Sequence, residues 1–333
     1  MTYDLYYHND FDGRASAAVI LAFFKTTGDR VGRFVPMDYT VKPQWIREDF
    51  FKHYSNPFGL AQGKWKKNPP IIVDFLYHPK AAVWFDHHHT TFMKEAWQRA
   101  FKASELRAWD KDAPSCCGLV LKHLEKTAGF KPPAHLKELA KWLDIIDSAA
   151  YKSAAQTIEL KDSAIQINAF LEHYKRGGNK LVWLIKLLSE QPMSEIVKDA
   201  RVRAGMRELE KQKKRDIAFY KDHIENIGKV IFADLTTYHG ADFRFAPYYL
   251  SPSSRYGLVF KKKNDSLHKG KSVFHISLGV NPWRKKESKI DMGNILRRYG
   301  GGGHKNVGGL ELPTRVDVEK AKTEILEYLA KHG

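Results

Sequence analysis

Three short apolar runs in the first ninety residues each stop abruptly on ionisable side chains, and this pattern constrains the fold more than any other feature. Residues 3–7 run into His8-Asn9-Asp10-Phe11-Asp12-Gly13, Ile71-Ile72-Val73 stops at Asp74, and Ala81-Ala82-Val83-Trp84-Phe85 stops at Asp86-His87-His88-His89. Continuous apolar runs of this length are the mark of strands buried on both faces of a parallel sheet. Ligands of such sheets gather beyond the carboxyl ends of the strands. Between the first two acid ends, residues 16–25 have the pattern of a buried helix stopped near Gly28, and residues 31–36 read as a further strand. Strands alternating with helices predict an α/β fold with a parallel N-terminal sheet.

Residues 38–70 break the alternation with Pro43, Pro57, Pro69 and Pro70, and read as an insertion with its own short helix around residues 45–53. Residues 115–147 read as helices, with Leu136, Leu139, Ala140, Leu143 and Ile146 at helical spacing and Asp144 and Asp147 near the end. Helical patterning continues over 156–190. Ser194 reads as the cap of one long charged helix reaching about Asn226. From Lys229 the pattern turns to strands: 230–233, then a hairpin of 257–260 and 273–278 around a basic loop at 261–271. A short helix over 291–299 runs into Gly300-Gly301-Gly302-Gly303-His304, followed by a strand at 309–312 and a final helix over 318–331. The expected organisation is an N-terminal region at 1–190 that carries the acid ends, a helical linker at 191–228, and a smaller α/β region at 229–333.

Charge narrows the partners. Lys and Arg number 55 against 38 Asp and Glu, a formal +17, which favours nucleic acid, nucleotides or another polyanion. A hydrophobic content of 43% excludes a disordered chain. The only two cysteines, Cys116 and Cys117, are adjacent; neighbouring cysteines rarely form a structural disulfide, and two thiols make a poor zinc site. They read as small buried residues opening a helix in a reducing compartment. No basic-then-apolar leader is visible and no apolar run approaches a bilayer span, so a cytoplasmic protein without a membrane partner is expected.

Carboxylates and imidazoles from three strand ends in one parallel sheet meet at one edge. Such a cluster is costly unless cations neutralise it, so bound metal is the simplest resolution. Imidazole and carboxylate without thiolate suit Mn, Zn or Fe better than Ca or Cu(I). Six or seven ligands are too many for one ion. Two ions about 3.5–4 Å apart are the usual apparatus for displacement at phosphorus.

These residues carry a specific resemblance. His8-Asn9-Asp10-Phe11-Asp12-Gly13-Arg14-Ala15-Ser16, Val73-Asp74 and Asp86-His87-His88 resemble the first three motifs of the DHH phosphoesterase superfamily, and Asp147 in Ile145-Ile146-Asp147-Ser148 resembles the fourth. Gly300 to Gly303 with His304, then Gly308-Gly309, is similar to the glycine-rich motif of the associated C-terminal domain. The layout is closest to the nano-RNase and cyclic-nucleotide phosphodiesterase-like members. The resemblance implies that 1–190 is the DHH metal-binding catalytic domain and 229–333 the substrate-binding domain. It implies His8, Asp10, Asp12, Asp74, His87 and Asp147 as ligands of two divalent ions, Mn²⁺ first and Mg²⁺ or Zn²⁺ as alternatives, with Asp74 as the bridge. It implies that Asp86 orients His87, that His88 faces the scissile phosphate, and that Gly301, Gly302, Gly303, His304 and Arg298 bind substrate.

The implied activity is hydrolysis of short oligonucleotides to nucleoside monophosphates. The alternatives are a cyclic-nucleotide phosphodiesterase, a RecJ-like single-strand exonuclease, and a metal-free nucleic-acid scaffold. The partner called for is a short oligonucleotide or nucleotide phosphodiester, with a second copy of the chain as a further option. Locally, a helix cap needs one glycine, so the run of four points to close approach by a ligand. Trp283, Tyr248 and Tyr299 read as core packing before base stacking. The chain departs from the family where Ser277 is followed by Leu278-Gly279-Val280-Asn281, so the expected arginine is missing or moved to Arg284.

Overall fold

The computed structural model describes residues 1–53, 68–174, 178–239, 243–264 and 272–333, which form two compact units. Parts of the 38–70 insertion, of the 156–190 helical stretch and of the 261–271 basic loop lie outside the described residues.

The first unit contains residues 1–150 and 162–206. Its sheet is built from β1 (Thr2–His8), β2 (Arg30–Met37), β3 (Pro70–Val73), β4 (Val83–Asp86) and β5 (Arg107–Trp109), all parallel, in the order β2-β1-β3-β4-β5. The three acid-ended strands are therefore adjacent in the middle of the sheet. Side-chain alternation splits them between two cores. Leu5, Tyr7, Ile71, Val73, Val83 and Phe85 pack on one face among helices. Those helices are α1 (Phe11–Thr27) and several that follow. Tyr6, Ile72 and Trp84 point the other way.

That second face is covered by an aromatic layer around Trp45, Phe50, Phe75 and Tyr77. It is contributed partly by α2 (Lys42–Trp45) and α3 (Phe50–His53), with α4 (Glu95–Ala100) further along the chain. The runs are continuous because both faces are buried. The insertion's start is a 3₁₀ turn (Tyr39–Val41) followed by two one-turn helices, instead of one helix over 45–53.

α5 (Cys116–Thr127) and α6 (Ala134–Asp147) return the chain to the sheet, and α8 (Ser163–His173) and α9 (Val182–Glu190) complete the cover, after α7 (Ala154–Glu159), which belongs to the second unit. The long helix expected from Ser194 is corrected in two places. Ser194 lies inside α10 (Met193–Ile196), whose cap is Pro192. The helix then restarts as α11 (Ala200–Asp222), where Asp199 accepts from the Arg201 N–H at 2.8 Å. α11 ends at Asp222, short of the expected Asn226, because a strand begins at Ile224, and it is shared between the two units.

The second unit contains residues 151–161 and 207–333. Its strands are β6 (Ile224–Ile227), β7 (Val230–Leu235), β8 (Tyr256–Asn264), β9 (Ser272–Val280), β10 (Gly302–His304) and β11 (Val307–Leu312), in the order β10-β11-β9-β8-β7-β6. Only β7 and β8 run parallel. α12 (Ala246–Leu250) follows β7, while Met292, Ile295 and Leu296 of α13 (Met292–Arg297) and Val318, Ala321, Ile325 and Leu329 of α14 (Arg315–His332) pack on Tyr256, Leu258, Ile276 and Leu278. The chain is thus a mixed α/β protein with one parallel and one mixed sheet. Among the described residues no helix is long and apolar enough to cross a membrane.

Candidate metal centre

The carboxyl ends of β1, β3 and β4 deliver their side chains to one place because the strands are neighbours in register. His8 ends β1. Asp10 then caps α1, its Oδ1 accepting from the Gly13 N–H at 2.9 Å. A Cβ on Gly13 would lie 2.1 Å from the His8 carbonyl oxygen, so only glycine lets the chain turn this tightly from strand into helix. Asp12 follows in the first turn. Its two oxygens accept the Cys116 and Cys117 N–H groups at 2.7 and 2.9 Å, which places the carboxylate on the positive end of α5. This is what the paired cysteines do: they open the helix as expected, with buried, unbridged thiols, and their backbone fixes Asp12.

Asp74, just past β3, adopts φ 56°, a left-handed conformation that asparagine and aspartate tolerate best and that costs energy in any side-chain-bearing residue. It is 1% exposed, and neither of its carboxylate oxygens has a hydrogen-bond partner among the described residues. Oδ2 lies 3.5 Å from His8 Nδ1, and Oδ1 lies 3.7 Å from His87 Nε2. His8 Nδ1 is 2.7 Å from Asp10, and His87 Nε2 is 3.4 Å from Asp147 and 3.7 Å from Asp12. Three overlapping ligand triads result, His8–Asp10–Asp74, Asp74–His87–His88 and Asp12–His87–Asp147, so that Asp74 and His87 each belong to two of them. Asp144, the neighbour of Asp147 on α6, is occupied elsewhere: Ser115 Oγ donates to it at 2.6 Å and Lys122 lies 3.5 Å away.

The reading of Asp86 needs correction. His87 Nδ1 meets the backbone carbonyl of Ala113 at 3.0 Å, and this contact leaves Nε2 facing the carboxylates. Asp86 instead accepts from His88 Nδ1 at 2.8 Å and from the His87 N–H at 2.9 Å. It therefore holds the turn and the His88 ring, while Trp109 Nε1 donates to the His88 carbonyl at 3.0 Å. His89 is exposed, as expected of an ordinary strand-end residue.

The electrostatics match the geometry. Burial pushes the Asp12 and Asp74 carboxyls well up, and neighbouring carboxylates push further: Asp147 and Asp10 on Asp12, Asp12 and Asp10 on Asp74. Burial also raises Asp147, against the pull of His87. Burial alone would lower His88, but the Asp86 hydrogen bond and the surrounding carboxylates outweigh it and hold the imidazolium up to about 9. Five carboxylates packed this way cannot all ionise without cations. The buried oxygens of Asp74 and the buried Nε2 of His87, unpartnered among the described residues, are suited to divalent metal.

Tyr39 belongs to no motif, and nothing in the sequence marks it. It sits two residues past β2, half-buried, its ring 5.0 Å from that of His8, 6.2 Å from that of His88 and stacked on Phe75 at 5.2 Å. Burial, then Asp86 and the other carboxylates, push its phenol far up, so it stays protonated.

In the second unit the glycine run has several local causes. Gly300, at φ 81°, closes the turn after α13, and the Gly301 N–H donates to the Leu296 carbonyl at 3.0 Å. Gly303 is at φ 144°, where a Cβ would come within 2.3 Å of Gly308 Cα. Gly302 alone of the four has neither constraint: a Cβ there meets nothing within 4 Å. His304 is exposed at the end of β10. Arg298 stacks over Tyr328 at 4.6 Å, and it is Arg297 that reaches the glycine strand, 3.5 Å from the Gly303 carbonyl. Arg284 donates to the Pro252 carbonyl at 3.0 Å, Tyr248 is buried with its hydroxyl on the Gly279 carbonyl, and Trp283 Nε1 donates to the Tyr151 carbonyl. Tyr299 donates to Glu324 at 2.9 Å.

No family model matches the sequence, and no curated protein matches it either. Solved structures do match. The pGpG-specific phosphodiesterase PggH of Vibrio cholerae superposes with a TM-score of 0.73 at 17% identity, covering 99% of this chain and 100% of that one. RecJ of Thermus thermophilus in complex with Mn²⁺ gives 0.54 at 15%, over all of this chain and 52% of RecJ. A manganese-bound exonuclease RecJ gives 0.51 at 14%, over all of this chain and 91% of that one. At these identities the likeness is one of fold: the chain shares the fold of these phosphodiesterase and RecJ structures.

Proposed function

We propose that the chain is a metal-dependent phosphodiesterase that hydrolyses short oligonucleotides, or closely related nucleotide phosphodiesters, to nucleoside monophosphates. The observation that carries this reading is Asp74, buried and shared by two ligand triads, with both oxygens left without a protein donor among the described residues. Asp74 belongs to both His8–Asp10–Asp74 and Asp74–His87–His88, and a carboxylate so placed would suit a pair of neighbouring divalent ions. Mn²⁺ fits the donors first, with Mg²⁺ and Zn²⁺ as alternatives. The ions, when bound, supply Lewis acidity at the phosphoryl group and neutralise the carboxylates.

The chain's own residues supply the rest. His8, Asp10, Asp12, Asp74, His87 and Asp147 would hold the ions. The Ala113 carbonyl fixes the His87 ring so that Nε2 is the coordinating nitrogen. Asp86 does the same for His88, leaving its Nε2 to hydrogen-bond a phosphate oxygen and to hold a proton for the departing ester oxygen. The excess of basic residues favours an anionic substrate. The C-terminal unit, with Gly302, His304 and the arginines of the α13 end, is proposed to bind substrate. Its Gly301 and Gly303 are needed first for packing.

The higher TM-score with a pGpG-specific phosphodiesterase, 0.73 against 0.54 and 0.51 for the two RecJ structures, supports a dinucleotide-sized substrate over a long single strand. The test is a panel of di- to pentanucleotides and a much longer single strand, with Mn²⁺. Nucleoside monophosphates should be released from the short members and poorly from the long one. No release from any member overturns the hydrolase reading. Equal release from the long strand favours an exonuclease.

A further inference from the structure

Five carboxylates surround the candidate centre, so two dications together with them leave no net positive charge for a substrate that carries more than one phosphate. The cation nearest in sequence is committed elsewhere: Arg14 is 0% exposed, and its guanidinium donates to Tyr7 and Asn9 inside the unit. Lys42 is different. Its ammonium lies 4.7 Å above the centre of the Tyr39 ring, the ring that itself lies against His8 and His88. It is half-buried, and no carboxylate among the described residues lies within ion-pairing distance of it. An ammonium held by an aromatic face without an acidic partner has its charge left for an incoming anion.

The segment carrying both residues is fixed from below. The Asn9 N–H donates to the Met37 carbonyl at 3.0 Å, tying the end of β2 to the His8 turn. Asp38 caps the 3₁₀ turn through the Thr40 N–H. Val41 and Trp45 on either side of Lys42 are buried in the aromatic layer, and Trp45 Nε1 donates to the Tyr77 carbonyl at 3.0 Å. Tyr39 and Lys42 are three residues apart, so one turn presents both. The start of the insertion thus sets the Tyr39 ring against His8 and His88 and the Lys42 ammonium over that ring.

We propose that Lys42, held over the Tyr39 ring, is the subsite for a second phosphate of the substrate, adjoining the scissile one. This rests on the phosphodiesterase reading above and adds a substrate preference to it: dinucleotides bearing a terminal phosphate over those without. The experiment compares the dinucleotides pApA and ApA on the full chain with Mn²⁺, before and after Lys42→Gln, Lys42→Arg and Tyr39→Leu. The pApA-to-ApA ratio of kcat/KM should fall about tenfold in Lys42→Gln, through KM, return largely in Lys42→Arg, and fall less in Tyr39→Leu.

A second readout does not depend on turnover. In protein stripped of metal, pApA should raise the melting temperature more than ApA does, and Lys42→Gln should remove the difference. A ratio unchanged by Lys42→Gln, whatever the absolute rate, overturns the proposal, as does a melting difference that survives the substitution. Absence of all turnover in the unsubstituted protein would overturn the hydrolase reading instead, and the melting comparison would then decide Lys42 alone.

Discussion

The ends of β1, β3 and β4 and the β10–β11 hairpin are both built at sheet margins, but they are built from different materials. At the first, chemistry sits on side chains: two imidazoles and four carboxylates gather within a few ångströms because three parallel strands stop in step and the end of α6 adds Asp147. At the second, what is unusual is backbone. Gly303 and Gly308 face each other across β10 and β11, and neither would admit a Cβ without displacing main chain. The difference teaches that a residue run can be conspicuous for opposite reasons. In one case the side chains are present for what they bind. In the other, their absence is what lets two strands and α13 close together.

Substitutions can break this contrast. The largest effect is expected at Asp74. Asp74→Asn removes a charge that two of the triads share, and kcat/KM should drop roughly a thousandfold while the fold persists, as checked by circular dichroism and a steady-state assay. At the hairpin the sign of the effect moves to stability. Gly303→Ala should cost about 2–4 kcal/mol in denaturant unfolding, from a strained φ and a clash with Gly308, whereas Gly302→Ala should cost under about 1 kcal/mol. Equal costs at the two positions would show that backbone packing does not explain the run.

Asp86→Asn comes next. It keeps a side chain of the same shape but weakens the hold on the His88 ring, and should lower kcat about 10–100-fold with a changed pH profile and an unchanged metal content. A loss of bound metal would return Asp86 to the role of orienting a ligand. The smallest effect is on thermal stability without metal. Asp12, Asp74 and Asp147 have folded-state values raised above those of the unfolded chain. Their stabilising contribution is therefore complete below the ordinary carboxylate range and is lost as pH rises through the raised values. Metal-free protein should melt lower at neutral pH than in mild acid, by roughly 5 °C, and Mn²⁺ should reverse the loss. Asp74→Asn should flatten this dependence.

The legible part of the molecule is that in which side-chain type and strand end coincide. His8, Asp10, Asp12, Asp74 and His87 can be grouped because three apolar runs point them to one edge, Asp147 joins them only through its resemblance to the fourth motif, and the structure brings all six together. The partner of His87 cannot be read, because it is the backbone carbonyl of Ala113 and carries no residue signature. β5 is three residues long, too short for any periodicity. The break before α11 turns on one aspartate that re-caps a helix whose apolar spacing continues across it. Tyr39 is a single aromatic after a strand, and nothing in its neighbours announces that the insertion will fold it against His8. The four glycines are visible but ambiguous, since a cap, a close strand and a ligand approach all call for the same residue.

The central claim is that Asp74 joins two ligand triads into one two-ion centre, and metal stoichiometry tests it most directly. Protein equilibrated with Mn²⁺ and then dialysed should retain two ions per chain by elemental analysis, and Asp74→Asn should retain fewer. One ion or none in the unsubstituted protein would contradict the account, as would two ions that Asp74→Asn leaves undisturbed.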